Sequence, residues 1–212
     1  GQNRKDGSST QGLFLGLAPV SLLEGSMERV SPICWHANKI ERVVRSPGAA
    51  EAAAVVNGED VLFHARYQWG EILGPAVDVF DINTTVNMVV GGVISDSSNV
   101  YDRLQTEEFN THGAERRTSL ELMCVKHAQR HNQVHLRWVH SEAQLGNALT
   151  KPNAKELEHF YQLGSRWRIV SDDEMRSARK RKQTGMEILE NQQRAPNVPA
   201  QRATFGKQGS EQ

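Results

Sequence analysis

The side chains able to do chemistry in this 212-residue chain are carboxylates, a scatter of histidines and one run of cations. Two aspartates close hydrophobic runs: Asp96 follows Val93-Ile94-Ser95, and Asp81 follows Val77-Asp78-Val79-Phe80. An Asp after a strand is ordinarily a helix cap, and a Glu in the first turn of a helix, as Glu51 is expected to be, is ordinarily a solvated residue favoured by the helix dipole. His127, His131 and His135 recur at intervals of four. The first two can share a helix face, but no H-E-x-x-H glutamate accompanies them and His135 falls in a predicted strand, so no zinc site is expected. His140 lies near a polar turn and by itself reads as a loop residue. The run Ser177-Ala178-Arg179-Lys180-Arg181-Lys182 suits phosphate contacts or nuclear import, and equally a solvated helix face.

These groups need a scaffold, and the length suits one domain plus an appendage. Lys+Arg and Asp+Glu each number 25, so nucleic-acid affinity must come from local basic patches and not from a global field. Cys34 and Cys124 have no CxxC or Cys/His spacing and read as core residues of a reduced compartment. Arg4 and Lys5 ahead of an apolar run over 13–23 imitate a secretory leader, but Pro19 interrupts the run and a strand pair explains it better. No stretch approaches the ~20 apolar residues that span a bilayer. A soluble protein of the cytoplasm or nucleus is the expectation.

The pattern predicts a polar turn over 1–10, strands over 12–19 and 30–38, and a further extended stretch over 39–45. Ser46 as N-cap and Pro47 at the first position open an alanine-rich helix running to Ile72, closed by Gly74-Pro75. Its positions Ala50, Ala54, Val61, Ala65 and Trp69 form one face for packing on a sheet. A hydrophobic strand over 86–96, a short helix to Leu104, a helix over 114–130, a strand over 134–139 and a helix over 142–149 follow. Beyond Pro152, a helix over 154–163 and a strand-like stretch over 166–170 lead into the basic helix, and residues 191–212 read as disordered. Trp35, Trp69, Trp138 and Trp167 read as core or half-buried anchors in preference to base-stacking platforms. The alternation of strands and helices is mixed α/β.

Three motifs in order carry a resemblance over most of residues 8–152. Lys39-Ile40-Glu41-Arg42-Val43-Val44-Arg45-Ser46 followed by Ala49-Ala50-Glu51-Ala52 is similar to K-x-x-R-V-x-R-S/T-x-x-A-A-E-A. Val93-Ile94-Ser95-Asp96-Ser97-Ser98-Asn99-Val100-Tyr101-Asp102 is similar to a strand ending in T-D-S/A-K-x-L-Y-D. Trp138-Val139-His140-Ser141-Glu142-Ala143-Gln144-Leu145-Gly146-Asn147-Ala148-Leu149-Thr150-Lys151 is similar to W-V-x-T/S-x-x-Q-L-A-D-x-L-T-K, and Glu115-Arg116-Arg117 matches an E-R/K-R before the penultimate core helix. Together they resemble the ribonuclease H domain of Copia-type retrotransposon polyproteins.

The resemblance implies a five-stranded mixed sheet flanked by helices over 1–152, with its first strand upstream of Gly1, a C-terminal extension with a basic helix over 153–190, and a tail over 191–212. It implies Mg²⁺-dependent hydrolysis of the RNA strand of RNA/DNA hybrids, in a polyprotein that also carries the reverse transcriptase. Two Mg²⁺ ions roughly 3.5–4 Å apart need several carboxylates around them. By resemblance Glu51 and Asp96 are catalytic metal ligands, with Asp96 preferred over Asp81 as the strand carboxylate, and His140 lies where such enzymes often keep a mobile histidine. Lys39, Arg42, Arg45, Arg179, Lys180, Arg181 and Lys182 would contact the hybrid. Two departures matter: Asn147 stands where the family carries an aspartate, and the opening-strand aspartate would lie upstream of Gly1, with Asp6 in the turn after it. Two carboxylates facing two Mg²⁺ ions predict impaired or absent hydrolysis. The alternatives are a non-catalytic binding module that recognises an A-form hybrid by shape and a non-functional relic.

Overall fold

The computed structural model describes residues 8–41, 44, 46–74, 80–106 and 116–170. It is mixed α/β. Strands β1 (Thr10–Leu17), β2 (Glu28–Arg29) and β3 (Ser31–Lys39) precede the long helix α1 (Pro47–Leu73) and the short α2 (Ile82–Val86). Then come β4 (Gly91–Ser95), α3 (Ser98–Gln105), α4 (Arg116–His131) and β5 (Val134–Trp138). Two 3-10 turns, Ser141–Ala143 and Leu145–Leu149, lead to α5 (Glu156–Gln162) and β6 (Arg166–Trp167). No described helix is long and apolar enough to cross a membrane.

β1 pairs antiparallel with β3, from Thr10 opposite Lys39 to Leu17 opposite Ser31, with a bulge between Leu15 and Gly16. β4 pairs parallel with β5, Gly91 opposite Val134 through Ser95 opposite Trp138. β2 and β6 make a two-residue antiparallel ladder. The described strands thus form three separate pairs and not the single five-stranded sheet that the resemblance implies. The physical reason lies between β1 and β4, where a cavity of about 670 Å³ opens with both strands in its walls. At one end Gly12, early in β1, presses on Gly146, where a Cβ would stand 2.5 Å from the Gly146 carbonyl oxygen. At the other, Leu23, beyond the end of β1, packs over Gly92 near the start of β4. Asn147 reaches Asp96, just past the end of β4, so β1 and β4 run in opposite directions.

Local chemistry explains α1 well. Ser46 Oγ accepts the Ala49 N–H at 3.1 Å, Pro47 takes the first position, and the Gly74 N–H closes the helix on the Gly70 carbonyl at 2.8 Å. Ala49, Ala50, Ala52 and Ala53 are buried, small enough to let this end of the helix approach its neighbours closely. Glu51 stands one turn further in than expected, since the first turn of α1 holds no acidic residue. Of the stripe expected to pack on a sheet, Ala50, Ala54, Ala65 and Trp69 line the cavity.

Two core clusters form walls around that space. One joins Val55, Val93, Val100, Leu122, Val125 and Leu136 beneath α1 and α4. The other joins Leu22, Val139, Leu145, Phe160, Trp167 and Val170, with Phe160 edge-on to Phe14 at 5.7 Å and to Trp167 at 6.2 Å. Burying one such side chain stabilises by about 1.5–3 kcal/mol. Residues 156–170 therefore belong to the same core as the opening strands, so the core continues past residue 152.

Several sequence expectations change. Residues 86–90 join α2 and its closing turns, which shortens β4, and the expected helix over 142–149 tightens into 3-10 turns around Gly146. Ile40 is the last residue tied to the β1–β3 pair, through its N–H to the Ser9 carbonyl at 3.0 Å. Trp35, expected as an anchor, is 54% exposed because it shares the outward face of β3 with Ile33. Cys124 is exposed on the outer face of α4 and Cys34 is half-buried, so neither is a core residue. The expectations for residues 1–7 and 171–212 lie outside the described residues.

Candidate functional site

The C-terminal end of β4 collects the residues that the three motifs single out. Asp96 leaves β4 half-buried, and its backbone carbonyl accepts the Trp138 indole N–H at 3.2 Å from the end of β5. Ser97 then caps α3, its Oγ accepting the Val100 N–H at 3.4 Å. The same hydroxyl donates to Glu51 Oε2 in a short hydrogen bond. Glu51, on the exposed side of α1, is thereby tied to the residue next to Asp96 although 46 positions separate it from Ser97.

Asn147 approaches from the turn Leu145–Leu149. It is buried, its Nδ2 donates to the Ser141 carbonyl in a short hydrogen bond, and it stands 3.5 Å from Asp96 Oδ2. Gln144 fastens this turn to β4 by donating to the Ile94 carbonyl at 2.8 Å. His140 is half-buried, and its Nδ1 accepts the Glu142 N–H at 3.2 Å and caps the turn that begins at Ser141.

Sequence reasoning missed Glu156. It opens α5, is buried, and one of its carboxylate oxygens has no hydrogen-bond partner. Burial pushes its carboxyl above the ordinary range and the Asp96 charge pushes the same way, opposed by its own backbone N–H, Lys151 and a hydrogen bond from Asn147. Glu156 is thus a second acidic residue at the Asp96–Asn147 junction. The only signal that could have found it is its place at the start of a helix four residues after Pro152.

The donor set determines how well two Mg²⁺ ions would fit. Among the described residues no three His, Cys, Asp or Glu side chains group closely enough to hold a metal ion. Asn147 turns amide hydrogens toward Asp96, Ser97 donates to Glu51, and burial raises the pKa of Glu156. Protein hydrogens therefore occupy one oxygen each of Glu51 and Asp96, and without a third close carboxylate the residues present do not fit that pair.

The rival groups lie elsewhere. Asp81 is exposed ahead of α2, where it accepts the Thr84 hydroxyl at 2.6 Å, which holds its carboxyl below the usual range. His127 and His131 stack on the surface of α4 with ring centroids 4.3 Å apart. His135 lies on β5, where burial and the Arg66 charge lower its pKa. Of the expected nucleic-acid contacts Lys39 is exposed at the end of β3, while Arg42, Arg45, Arg179, Lys180, Arg181 and Lys182 lie outside the described residues.

No protein-family model, curated protein or solved structure matches the chain. The fold defines the class: a mixed α/β unit with small sheets, in which Asp96 at a strand end stands beside Asn147 and Glu51 is tied to the neighbouring Ser97.

Proposed function

We propose that the chain is a ribonuclease H-like unit of a Copia-type retrotransposon polyprotein whose carboxylate centre is incomplete, so that it engages RNA/DNA hybrid without cleaving it efficiently. The observation that carries this reading is convergence. Positions 51, 96–97 and 147, each from a different motif, meet at one strand end through the Ser97–Glu51 and Asn147–Asp96 contacts. In the parent activity Mg²⁺ would supply charge neutralisation and an activated water for hydrolysis of the RNA strand. Here the residues do something simpler. Asn147 offsets the Asp96 charge with amide hydrogens, and Ser97 does the same for Glu51, so the pocket is stable without a cation. Lys39, with Arg42, Arg45 and the run Arg179–Lys182, supplies positive charge for the hybrid's phosphates, and the reverse-transcriptase domain of the same polyprotein is the partner that would deliver the hybrid. The unit acts inside the cell, in cytoplasm or nucleus.

The test is a titration of the 212-residue chain with a labelled RNA/DNA hybrid in Mg²⁺ across a salt series. Binding should weaken steadily as salt rises, because phosphate contacts release counterions, while the RNA strand stays intact. RNA-strand cleavage abolished by Glu51→Gln would refute the impaired centre, and absence of binding at low salt would refute the hybrid reading.

A further inference from the structure

The outer face of α4 sets two imidazoles side by side. His127 and His131 are both exposed near the end of this 16-residue helix, four positions and so about one turn apart. Their rings lie with centroids 4.3 Å apart and planes tilted by 36°. Among the described residues no hydrogen bond or ion pair engages either ring. The backbone beneath them is held in place. The His131 carbonyl accepts the Asn87 side-chain amide at 3.1 Å, and the Asn132 N–H closes on the Ala128 carbonyl at 2.8 Å. Val125 and Ala128 are buried on the opposite side of the helix. The pair therefore stands on a fixed helix end, where a ligand has little ordering left to impose. The carbonyl end of a helix also favours a cation. Arg130, exposed in the same turn, works against one, whereas Lys126 donates to the Thr106 carbonyl.

We propose that His127 and His131 chelate one divalent transition-metal ion, Cu²⁺ before others, on the surface of α4. Two imidazole nitrogens at about 2.0–2.1 Å from one ion, in neighbouring coordination positions, stand about 3 Å apart. Rings whose centroids are 4.3 Å apart reach that by small side-chain rotations. The donor count selects the metal. Zinc sites use three or four protein ligands. Cu²⁺ takes a tetragonal set of nitrogen and oxygen donors and leads the affinity order for them, so two adjacent imidazoles with water in the other positions suffice. Cys124, three residues before His127, is exposed, but its Sγ leans back toward the Leu120 carbonyl at 3.9 Å and does not complete the set. Mg²⁺ seeks oxygen and does not compete for this pair. The site stands whether or not the nuclease reading does.

The experiment titrates the 212-residue chain with Cu²⁺ by calorimetry and records the electron paramagnetic resonance spectrum of the loaded protein. His127→Asn and His131→Asn are the test variants, with Cys124→Ser and His64→Asn, an exposed position on α1, as controls. One Cu²⁺ per chain should bind, with splitting from two imidazole nitrogens. Either α4 histidine variant should bind at least about tenfold more weakly, because the second donor closes the chelate within the chain. Both controls should match the parent, and Zn²⁺ should bind more weakly than Cu²⁺. Equal affinity in the parent and either α4 histidine variant, a single-nitrogen spectrum in the parent, loss of binding in Cys124→Ser or His64→Asn, or a preference for Zn²⁺ over Cu²⁺ would overturn the proposal.

Discussion

Replacing Asn147 by Asp inverts the electrostatics of the strand end. The Asn147 amide nitrogen stands 3.5 Å from Asp96 Oδ2 and also donates to the Ser141 carbonyl. An ionised carboxylate at position 147 would set two unit charges at about that separation, which costs about 5 kcal/mol at an effective dielectric near 20 and about 1 kcal/mol in bulk water. The lost bond to the Ser141 carbonyl adds about 1 kcal/mol. The half-buried Asp96 places the net cost between those limits, so Asn147→Asp should destabilise the fold by roughly 2–4 kcal/mol at pH 7. The sign against pH is fixed. The introduced carboxyl, its folded pKa raised, contributes stability that is fully present below its unfolded value near 3.9, and loses it as pH rises through the folded pKa. The deficit should shrink toward pH 4, and millimolar Mg²⁺ should reduce it at pH 7 by binding the new carboxylate pair. Urea unfolding of both proteins at pH 4 and pH 7, with and without Mg²⁺, reads all three effects. A variant as stable as the parent at pH 7 and indifferent to Mg²⁺ would refute the reasoning.

Glu156→Gln should stabilise the protein at pH 7 by about 1 kcal/mol, since it removes a buried carboxylate whose ionisation the fold resists. Glu156 has a raised folded pKa, so the stability it contributes is present at low pH and declines as pH rises through that value. The advantage of Gln should therefore fade toward pH 4, and a pH-independent difference in unfolding midpoint would count against it. Gly12→Ala should cost about 1–3 kcal/mol, because its Cβ would meet the Gly146 backbone oxygen at 2.5 Å and push β1 off the Leu145–Leu149 turn. A loss below roughly 0.5 kcal/mol in urea unfolding would show that this contact does not hold the two together.

The parts legible in the sequence are those whose signals are local. Ser46, Pro47 and Gly74 mark α1 because a cap, a first-turn proline and a terminal glycine act within a few residues of the backbone they close. Trp35 is misread because alternation along β3 separates two faces without saying which is covered. The packing, not the pattern, turns Ile33 and Trp35 outward. The stripe on α1 is readable as a face seeking a sheet, but nothing local tells that it borders the cavity between β1 and β4. Glu51, Asp96 and Asn147 are legible only as motifs in order, since the hydrogen bonds that join them span 46 and 51 positions. Glu156 is illegible for a related reason: it depends on α5 folding back under the turn that carries Asn147.

Asn147 and Glu156 act on the strand end in the same direction. One supplies amide hydrogens where an aspartate would add a charge, and the other is an acid whose burial favours the proton. Asn147 adds no charge beside Asp96, and burial works against charge on Glu156, so neither favours a cation there. A centre that must hold two Mg²⁺ ions needs the opposite, a surplus of carboxylate charge that is costly until metal arrives. Stability without metal and affinity for metal are therefore alternatives at this strand end. Its hydrogen bonds from Ser97 and Asn147 favour the first. Building the second takes more than one substitution: Asn147→Asp supplies one charge while burial still works against charge on Glu156, so metal affinity should respond to Asn147→Asp only to the extent that the Asp96 pair alone can hold a cation.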